Sequence, residues 1–376
     1  VIERLARITC LRFRGRGVEQ FQRRSIAGAR RRARPAAGGR AEGLEHSLSI
    51  GAAIGVDTTL KPAAWSSPAG WVRREASIMG TAITVLAWSD VQAIGAAAID
   101  AVMADMHRID ATMSPYKPDS ELSRINRDAA LRPVPVSAEL FALLERSLQF
   151  SRLSAGAFDI TYAAAGHLYD YRRGIVPGDD ELARARAAIG WQGLMLDAVA
   201  RTVRFARPGM RIDLGGFAKG HAVERGAAIL RRFGIAQGIV TAGGDSRLLG
   251  DRRGRPWTIG VRDPRRPGQV VAVLPLQDVA VSTSGDYERC FEAGGVRHHH
   301  LIDPRTGRSP SSVRSVTIVA ADGLTSEALS KCVFVLGVAE GLRLVEAQPG
   351  ADAVVVDADG RLHYSNGLLA PAAAAH

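Results

Sequence analysis

The run Arg211–Gly220, reading Arg-Ile-Asp-Leu-Gly-Gly-Phe-Ala-Lys-Gly, constrains the fold more than any other stretch of this chain. A glycine pair just ahead of a helix-forming segment calls for a tight strand-to-helix turn, with backbone brought close to whatever lies beside it. Three later segments share the form: Thr241-Ala-Gly-Gly-Asp245, Ser282-Thr-Ser-Gly-Asp-Tyr-Glu-Arg289 and His300-Leu-Ile-Asp-Pro-Arg-Thr-Gly307. Each sets a charged or hydroxyl side chain beside a glycine. One Gly-Gly-x-x-Lys alone is an ordinary turn. Four such turns so close together in sequence point to a site that grips a phosphorylated ligand.

Around these turns the strand and helix patterns mix irregularly. Ile83, Val85 and Ala87 alternate with Thr84, Leu86 and Trp88, which predicts a strand mostly buried on both faces. From Val91 to Asp110, Ile94, Ala98, Val102, Met106 and Ile109 recur at helical spacing, and the methionines there read as core. A polar loop, Thr112–Arg127, follows. A helix is then expected from about Ser137, a suitable N-cap, to Leu153, with Leu140, Leu144 and Leu148 on one face. Beyond it, short strands are expected near residues 194–196, 202–205, 238–241, 257–261, 270–276, 279–282 and 313–320, around helices at 218–232 and 324–336. Without strict βαβ alternation this predicts an α+β or mixed α/β fold rather than a Rossmann fold, and the length permits one large domain, over 71–370, or two. No Gly-x-Gly-x-x-Gly opens a helix with an acid twenty residues on, and there is no Walker loop and no internal repeat.

At 376 residues and 46% hydrophobic, the chain can bury a substantial core. No apolar run approaches the roughly 18 residues of a membrane-spanning helix. The net charge of +11 resembles a nucleic-acid signature until it is located. Residues 1–40 hold twelve arginines against Glu3 and Glu19, which accounts for +10 and leaves +1 for everything beyond. A nearly neutral body gives no reason to expect nucleic-acid binding. Residues 1–70, with Arg30-Arg-Arg-Ala-Arg-Pro-Ala-Ala-Gly-Gly-Arg40, read as a disordered basic extension or a mis-set start. Ser47–Val56 is apolar enough for a short secretory core, but Glu42 and Glu45 part it from the arginines. Arg23-Arg24 is a twin arginine in letters only. Cys10, Cys290 and Cys332 form neither a metal-ligand pattern nor a disulfide framework.

Several residues can carry chemistry. Asp213-Leu-Gly-Gly216 puts free backbone N–H groups, Gly216 and Lys219 at one helix start, a ready anion site. Close strand–helix packing explains the glycine pair equally well. Thr283 and Ser284 suit phosphate or metal-bound oxygen, though a serine-rich turn is the commoner use. Neighbours in an extended segment alternate faces, so His298, His299 and His300 cannot all reach one ion. His300, beside Leu301, is the candidate general base, because imidazole titrates near working pH. His298 and His299 are expected to face solvent. Phe158 reads as core or as a ring contact, and Asp159 as a helix cap or a ligand contact.

Taken together, these segments resemble the ApbE family, flavin transferases that move FMN from FAD onto a threonine or serine of a partner protein. The likeness runs in order from about Arg74 to Leu336. It takes in Met79-Gly-Thr81, Met113-Ser-Pro-Tyr116 with Asp119-Ser-Glu-Leu-Ser-Arg124, Gly156-Ala-Phe-Asp159, Asp213–Gly220, Ala242-Gly-Gly-Asp245, Thr283–Arg289 and His300–Gly307. Residues 1–70 and the last thirty or so lie outside it. The resemblance implies an ApbE-like, T-fold-like domain, with FAD contacts at Met79, Tyr116, Ala157, Phe158, Asp159, Asp213, Lys219 and Leu301. It makes His300 the catalytic histidine and implies a membrane redox subunit as acceptor, with a periplasmic or cell-envelope location if the chain is exported and a cytoplasmic one if it carries no export signal. It also implies magnesium, held by the Gly216 carbonyl and by an aspartate and a threonine four residues apart on a helix. Here Glu327 stands for the aspartate and Lys331 for the threonine. Glutamate can ligate magnesium, whereas an ammonium has no lone pair to give.

The expected reaction is attack of the acceptor hydroxyl on the FMN-side phosphorus of FAD with departure of AMP. Two rivals share the site: an FAD pyrophosphatase giving FMN and AMP, and a non-catalytic FAD-binding protein. Nucleic-acid binding by the arginine tail ranks last.

Overall fold

The computed structural model describes residues 69–368. Cys10, Arg23-Arg24, Ser47–Val56 and the rest of the basic extension lie outside the described residues. The description begins with a hairpin, β1 (Gly70–Ile78) and β2 (Thr81–Ser89), closed by Met79-Gly80 alone. Both turn residues have positive φ, 57° and 68°, as a two-residue turn that follows strand twist requires. The chain continues through α1 (Gln92–Met113), α2 (Glu121–Asp128), β3 (Val134–Pro135), α3 (Ala138–Leu153), α4 (Ala163–Gly166) and α5 (Asp179–Ala187). Then come β4 (Leu194–Asp197), β5 (Thr202–Phe205), α6 (Ala218–Arg232), β6 (Gly238–Ala242), β7 (Asp245–Leu249), β8 (Trp257–Arg262) and β9 (Val270–Leu276). The last elements are β10 (Ala280–Gly285), β11 (Cys290–Ala293), β12 (Val296–His299), β13 (Val313–Ala320), α7 (Gly323–Leu336), α8 (Val338–Glu346), β14 (Asp352–Asp357) and β15 (Leu362–Tyr364).

Eight strands form one sheet in the order β1-β2-β6-β7-β10-β13-β14-β15. Every neighbouring pair is antiparallel, which places the fold on the α+β side of the expectation. One face carries Ile83, Val85, Val240, Val316 and Val355 into the main core, with α1 and α6 packed together and α7 lying on β10 and β13. The opposite face carries Leu248, Val281, Val319 and Val354 into a second core with Trp257, Val261, Leu274 and Leu276 of the β8–β9 hairpin. Each face of the sheet therefore has its own cover. That is why β2 is apolar on both sides, with Leu86 against the second core. No helix among the described residues is long and apolar enough to cross a membrane.

Three expectations need correction. Ile94 is 46% exposed, while Gly95 and Ile99 are buried in its stead. A series spaced by four drifts about 40° per step at 3.6 residues per turn, so its first member falls off the buried stripe. The supposed polar loop 112–127 contains most of α2, capped by Ser120, whose hydroxyl accepts from the Ser123 N–H and whose Leu122 and Ile125 are buried. No strand leads directly into α6: β5 ends at Phe205, and residues 206–217 are irregular.

Candidate active site

The site grows from the crossing of α6 and α7. A Cβ on Gly220 would stand 2.2 Å from the Gly323 carbonyl oxygen, and one on Gly323 would stand 2.4 Å from that of Gly220. Only two glycines allow the backbones this close. The contact sets Lys219, at the start of α6, against Glu327 on α7. The Lys219 Nζ lies 2.6 Å from Asp245 Oδ2 and also pairs with Glu327 Oε1. Glu327 Oε2 accepts from the Gly220 N–H at 2.6 Å, so the protein's own carboxylate fills part of the expected anion site. One turn further along α7, Lys331 Nζ lies 3.4 Å from Glu327 Oε1 and 3.3 Å from Ser330 Oγ. Glu327 is fully buried, but the Lys219 and Lys331 side chains keep 23% and 15% of their surface exposed.

Two hydroxyl pairs hold α7 to β10. Ser282 meets Ser326 at 2.8 Å and Ser284 meets Ser330 at 2.8 Å, each pair next to one of the charged residues. Thr283 points elsewhere, to Thr317 at 2.9 Å. The hydroxyls read as phosphate ligands are thus engaged within the protein. Close strand–helix packing does not explain Gly216, where a Cβ would meet nothing closer than Lys331 carbons at 3.6 Å, whereas one on Gly215 would stand 2.9 Å from Asp213 Oδ1 in its own turn. The close-packed glycine is Gly220.

His300 follows β12, its backbone N–H donating to the Arg289 carbonyl at 3.1 Å. Its Nδ1 is buried and has no hydrogen-bond partner among the described residues. Burial, then Lys331, Arg289 and Lys219, push the imidazole down to about 3. A neutral ring near three cations can accept a proton once a polyanion offsets their charge. Arg289 also donates to the Gly80 carbonyl at 3.1 Å, tying this wall to the Met79-Gly80 turn. Its partners in the triple histidine do not face solvent. His298 is buried and stacks on Phe291 at 5.3 Å, while His299 is buried with Nε2 2.8 Å from the Pro310 carbonyl. A hairpin folded back over the body buries what an isolated ribbon would expose.

The remaining candidates divide. Tyr116 is 86% exposed and offers a free ring face, and Met79 is half-buried at the turn. The Asp213 carboxyl is held up by burial although the Gly215 N–H donates to it at 2.5 Å and Arg289, Arg211 and Lys219 oppose the shift. Ala157, Phe158 and Leu301 are buried. Phe158 lies in a three-ring cluster with Phe150 and Phe217 at 6.0 and 5.7 Å. Asp159 accepts from the Thr161 N–H and hydroxyl at 2.8 and 2.7 Å and from the Trp191 N–H at 2.9 Å, which is capping. No sequence signal marks Tyr171, whose buried hydroxyl has no hydrogen-bond partner among the described residues and whose ring stacks on Tyr169 at 5.9 Å. No glycine turn marks it.

The donor set does not fit a divalent ion at Gly216 and Glu327. Glu327 Oε1 is shared by two ammonium groups and Oε2 is held by backbone, while the Lys331 stem lies over Gly216. Among the described residues, Asp245 Oδ1 is the carboxylate oxygen of this cluster left without a hydrogen-bond partner. Two carboxylates already balanced by two lysines have no net negative charge with which to draw a dication.

A family model described as the ApbE family matches residues 79–355. The chain is 35% identical over 291 residues to the FAD:protein FMN transferase of Treponema pallidum (strain Nichols), covering 73% of this chain and 80% of that protein. It is 32% identical over 274 residues to a Vibrio cholerae FAD:protein FMN transferase, covering 71% and 81%. Among solved structures it is similar to the ApbE protein of Thermotoga maritima, with a TM-score of 0.73, 34% identity and coverage of 79% and 98%. The flavin transferase ApbE from Vibrio cholerae gives a TM-score of 0.70 at 28% identity, covering 80% and 99%. The matched region runs past Leu336 into β14, so part of the C-terminal stretch set outside the resemblance lies within it.

Proposed function

The chain belongs to the ApbE family, and from that premise we propose that it is an FAD:protein FMN transferase. In the proposed step the oxygen of an acceptor threonine or serine bonds to the FMN-side phosphorus of FAD. The bond from that phosphorus to the bridging oxygen breaks, and AMP leaves with the electron pair. The acceptor's hydroxyl proton passes to His300. The observation that carries this reading is the buried His300 ring, whose Nδ1 has no hydrogen-bond partner among the described residues and whose proton affinity burial, then Lys331, Arg289 and Lys219, push down. Such a pocket suits a diphosphate beside a base, and fixed cations there stabilise charge that grows on the leaving phosphate.

Tyr116, Met79, Asp213 and Lys219 are the FAD contacts with surface to offer. Ala157, Phe158, Asp159 and Leu301, which are buried, would back the flavin pocket rather than offer it open surface. Tyr171, with its unpaired hydroxyl, joins them as a candidate polar contact. Because the residues at Gly216 and Glu327 do not fit magnesium, no step is routed through a metal. The acceptor is proposed to be a redox subunit of a membrane complex, the class that the resemblance implies.

The test is incubation with FAD, with and without a candidate acceptor carrying a threonine or serine site. Covalent flavin on the acceptor, with AMP released in equal amount and only when the acceptor is present, supports the transferase. AMP release that ignores the acceptor makes the enzyme a pyrophosphatase, and FAD binding without AMP makes it a binding protein.

A further inference from the structure

We propose that Lys331, acting with Lys219, is the resident cation of this site, so that the enzyme handles the FAD diphosphate without a divalent ion at Glu327. The substrate in this inference rests on the transferase reading. Lys219 is engaged by both Asp245 and Glu327, and among the described residues Lys331 has only the 3.4 Å contact to an oxygen it shares and a 3.3 Å contact to Ser330. A lysine so placed has donors to spare, since an ammonium carries three. It also keeps part of its surface open.

Position supports the same conclusion. Lys331 lies over Gly216, within 3.6 Å of where a side chain would begin, and it lies near His300, whose proton affinity it helps depress. The Lys331 stem thus lies beside the turn before α6, where the oxygens of a diphosphate held at that turn would meet it. The hydroxyl pairs Ser282–Ser326 and Ser284–Ser330 fix the helix that carries it, which limits the reorganisation needed when an anion enters.

Metal binding and metal dependence are measured separately, so that failure of the transferase reading does not hide the answer. Equilibrium dialysis of the chelator-stripped protein against Mn2+, with and without FAD, is expected to show no stoichiometric site in the parent beyond what FAD itself carries. Lys331→Thr, which restores a hydroxyl ligand and removes the competing charge, should take up one Mn2+ per chain in the FAD complex. In the chelator, Lys331→Met should weaken FAD binding at least tenfold. Where acceptor flavinylation is observed, the parent should keep its rate within twofold in chelator, while Lys331→Thr should lose at least tenfold and recover with Mg2+. One Mn2+ per parent chain, lost in Glu327→Gln, would overturn the proposal. So would equal loss of activity by parent and Lys331→Thr in chelator, absence of Mn2+ uptake by a folded Lys331→Thr, or normal FAD affinity in a folded Lys331→Met. Should either variant fail to fold, the parent's Mn2+ stoichiometry and chelator response decide alone. A protein that binds FAD yet never modifies an acceptor would refute the transferase reading, leaving the Mn2+ result to stand by itself.

Discussion

At the scale of single residues, the charges of the site are both its chemistry and part of its stability. His300→Ala removes the proposed base from a place where its Nδ1 has no hydrogen-bond partner among the described residues, so little structural interaction is lost. It is expected to keep FAD affinity within a few-fold and to lose roughly 10²–10⁴ in transfer rate, the usual worth of general-base catalysis. Stopped-flow or endpoint flavinylation assays decide, and a near-normal rate would move the base elsewhere. Lys219→Met looks from sequence like a change that only weakens anion binding. The structure shows otherwise, because Lys219 is the cation between two buried carboxylates, Asp245 and Glu327. Breaking a buried pair costs roughly 3–5 kcal/mol, and the low end is expected here because Lys331 still faces Glu327. Thermal or urea melting should therefore show a loss of stability together with weaker FAD binding. An unchanged melting point would mean that the carboxylates find another partner.

At the scale of elements, the α6–α7 crossing is the hinge of the argument. Gly220→Ala puts a methyl 2.2 Å from a backbone oxygen that cannot swing away as a side-chain tip could. The helices must part, at a cost of about 1–3 kcal/mol or more for overpacking. Lys219 then shifts against Glu327, and FAD affinity should fall with stability. Gly216→Ala is the control, since its methyl would find ordinary contact distance to Lys331 carbons. It should melt within about 0.5 kcal/mol of the parent, as a substitution away from tight packing does. Equal destabilisation by the two would restore the packing explanation of the Gly215–Gly216 pair. The helices themselves were largely legible: α3 with its Ser137 cap, and α6 over residues 218–232, lie where apolar spacing places them. The helix α2 was legible in principle too, through Ser120 ahead of Leu122 and Ile125, but a polar surface masked so short a stripe.

At the scale of the whole molecule, acid should be damaging. His167, His221, His299 and His300 are all pulled below the ordinary histidine value, in each case chiefly by burial. Between the unfolded value near 6.5 and the folded values, the unfolded chain binds more protons than the native one. Stability is therefore full above about pH 6.5 and falls as the pH drops below it. Asp105 and Glu139, held low in the native state against the pull of burial by Arg225, Arg108 and His221, act in the same direction at still lower pH. Urea melts at pH 7.5 and pH 5 should show a lower midpoint in acid. A midpoint that rises or stays level would mean that the histidines are solvated in solution. What the sequence determined by itself is whatever depends on near neighbours. Turn glycines, caps and apolar periods of two and about four placed most of the strands and helices, and the ordered set of motifs pointed to the family. Tertiary structure alone decided which motif side chains are taken up by partners within the protein. Serines at 282 and 284 were spent on α7, Asp159 on a cap, His298 and His299 on packing, and Lys331 on a carboxylate 108 residues away from its other lysine partner. The reason is that a side chain's role depends on which groups long-range contacts bring within about 3–4 Å of it, and local spacing carries no information about that distance.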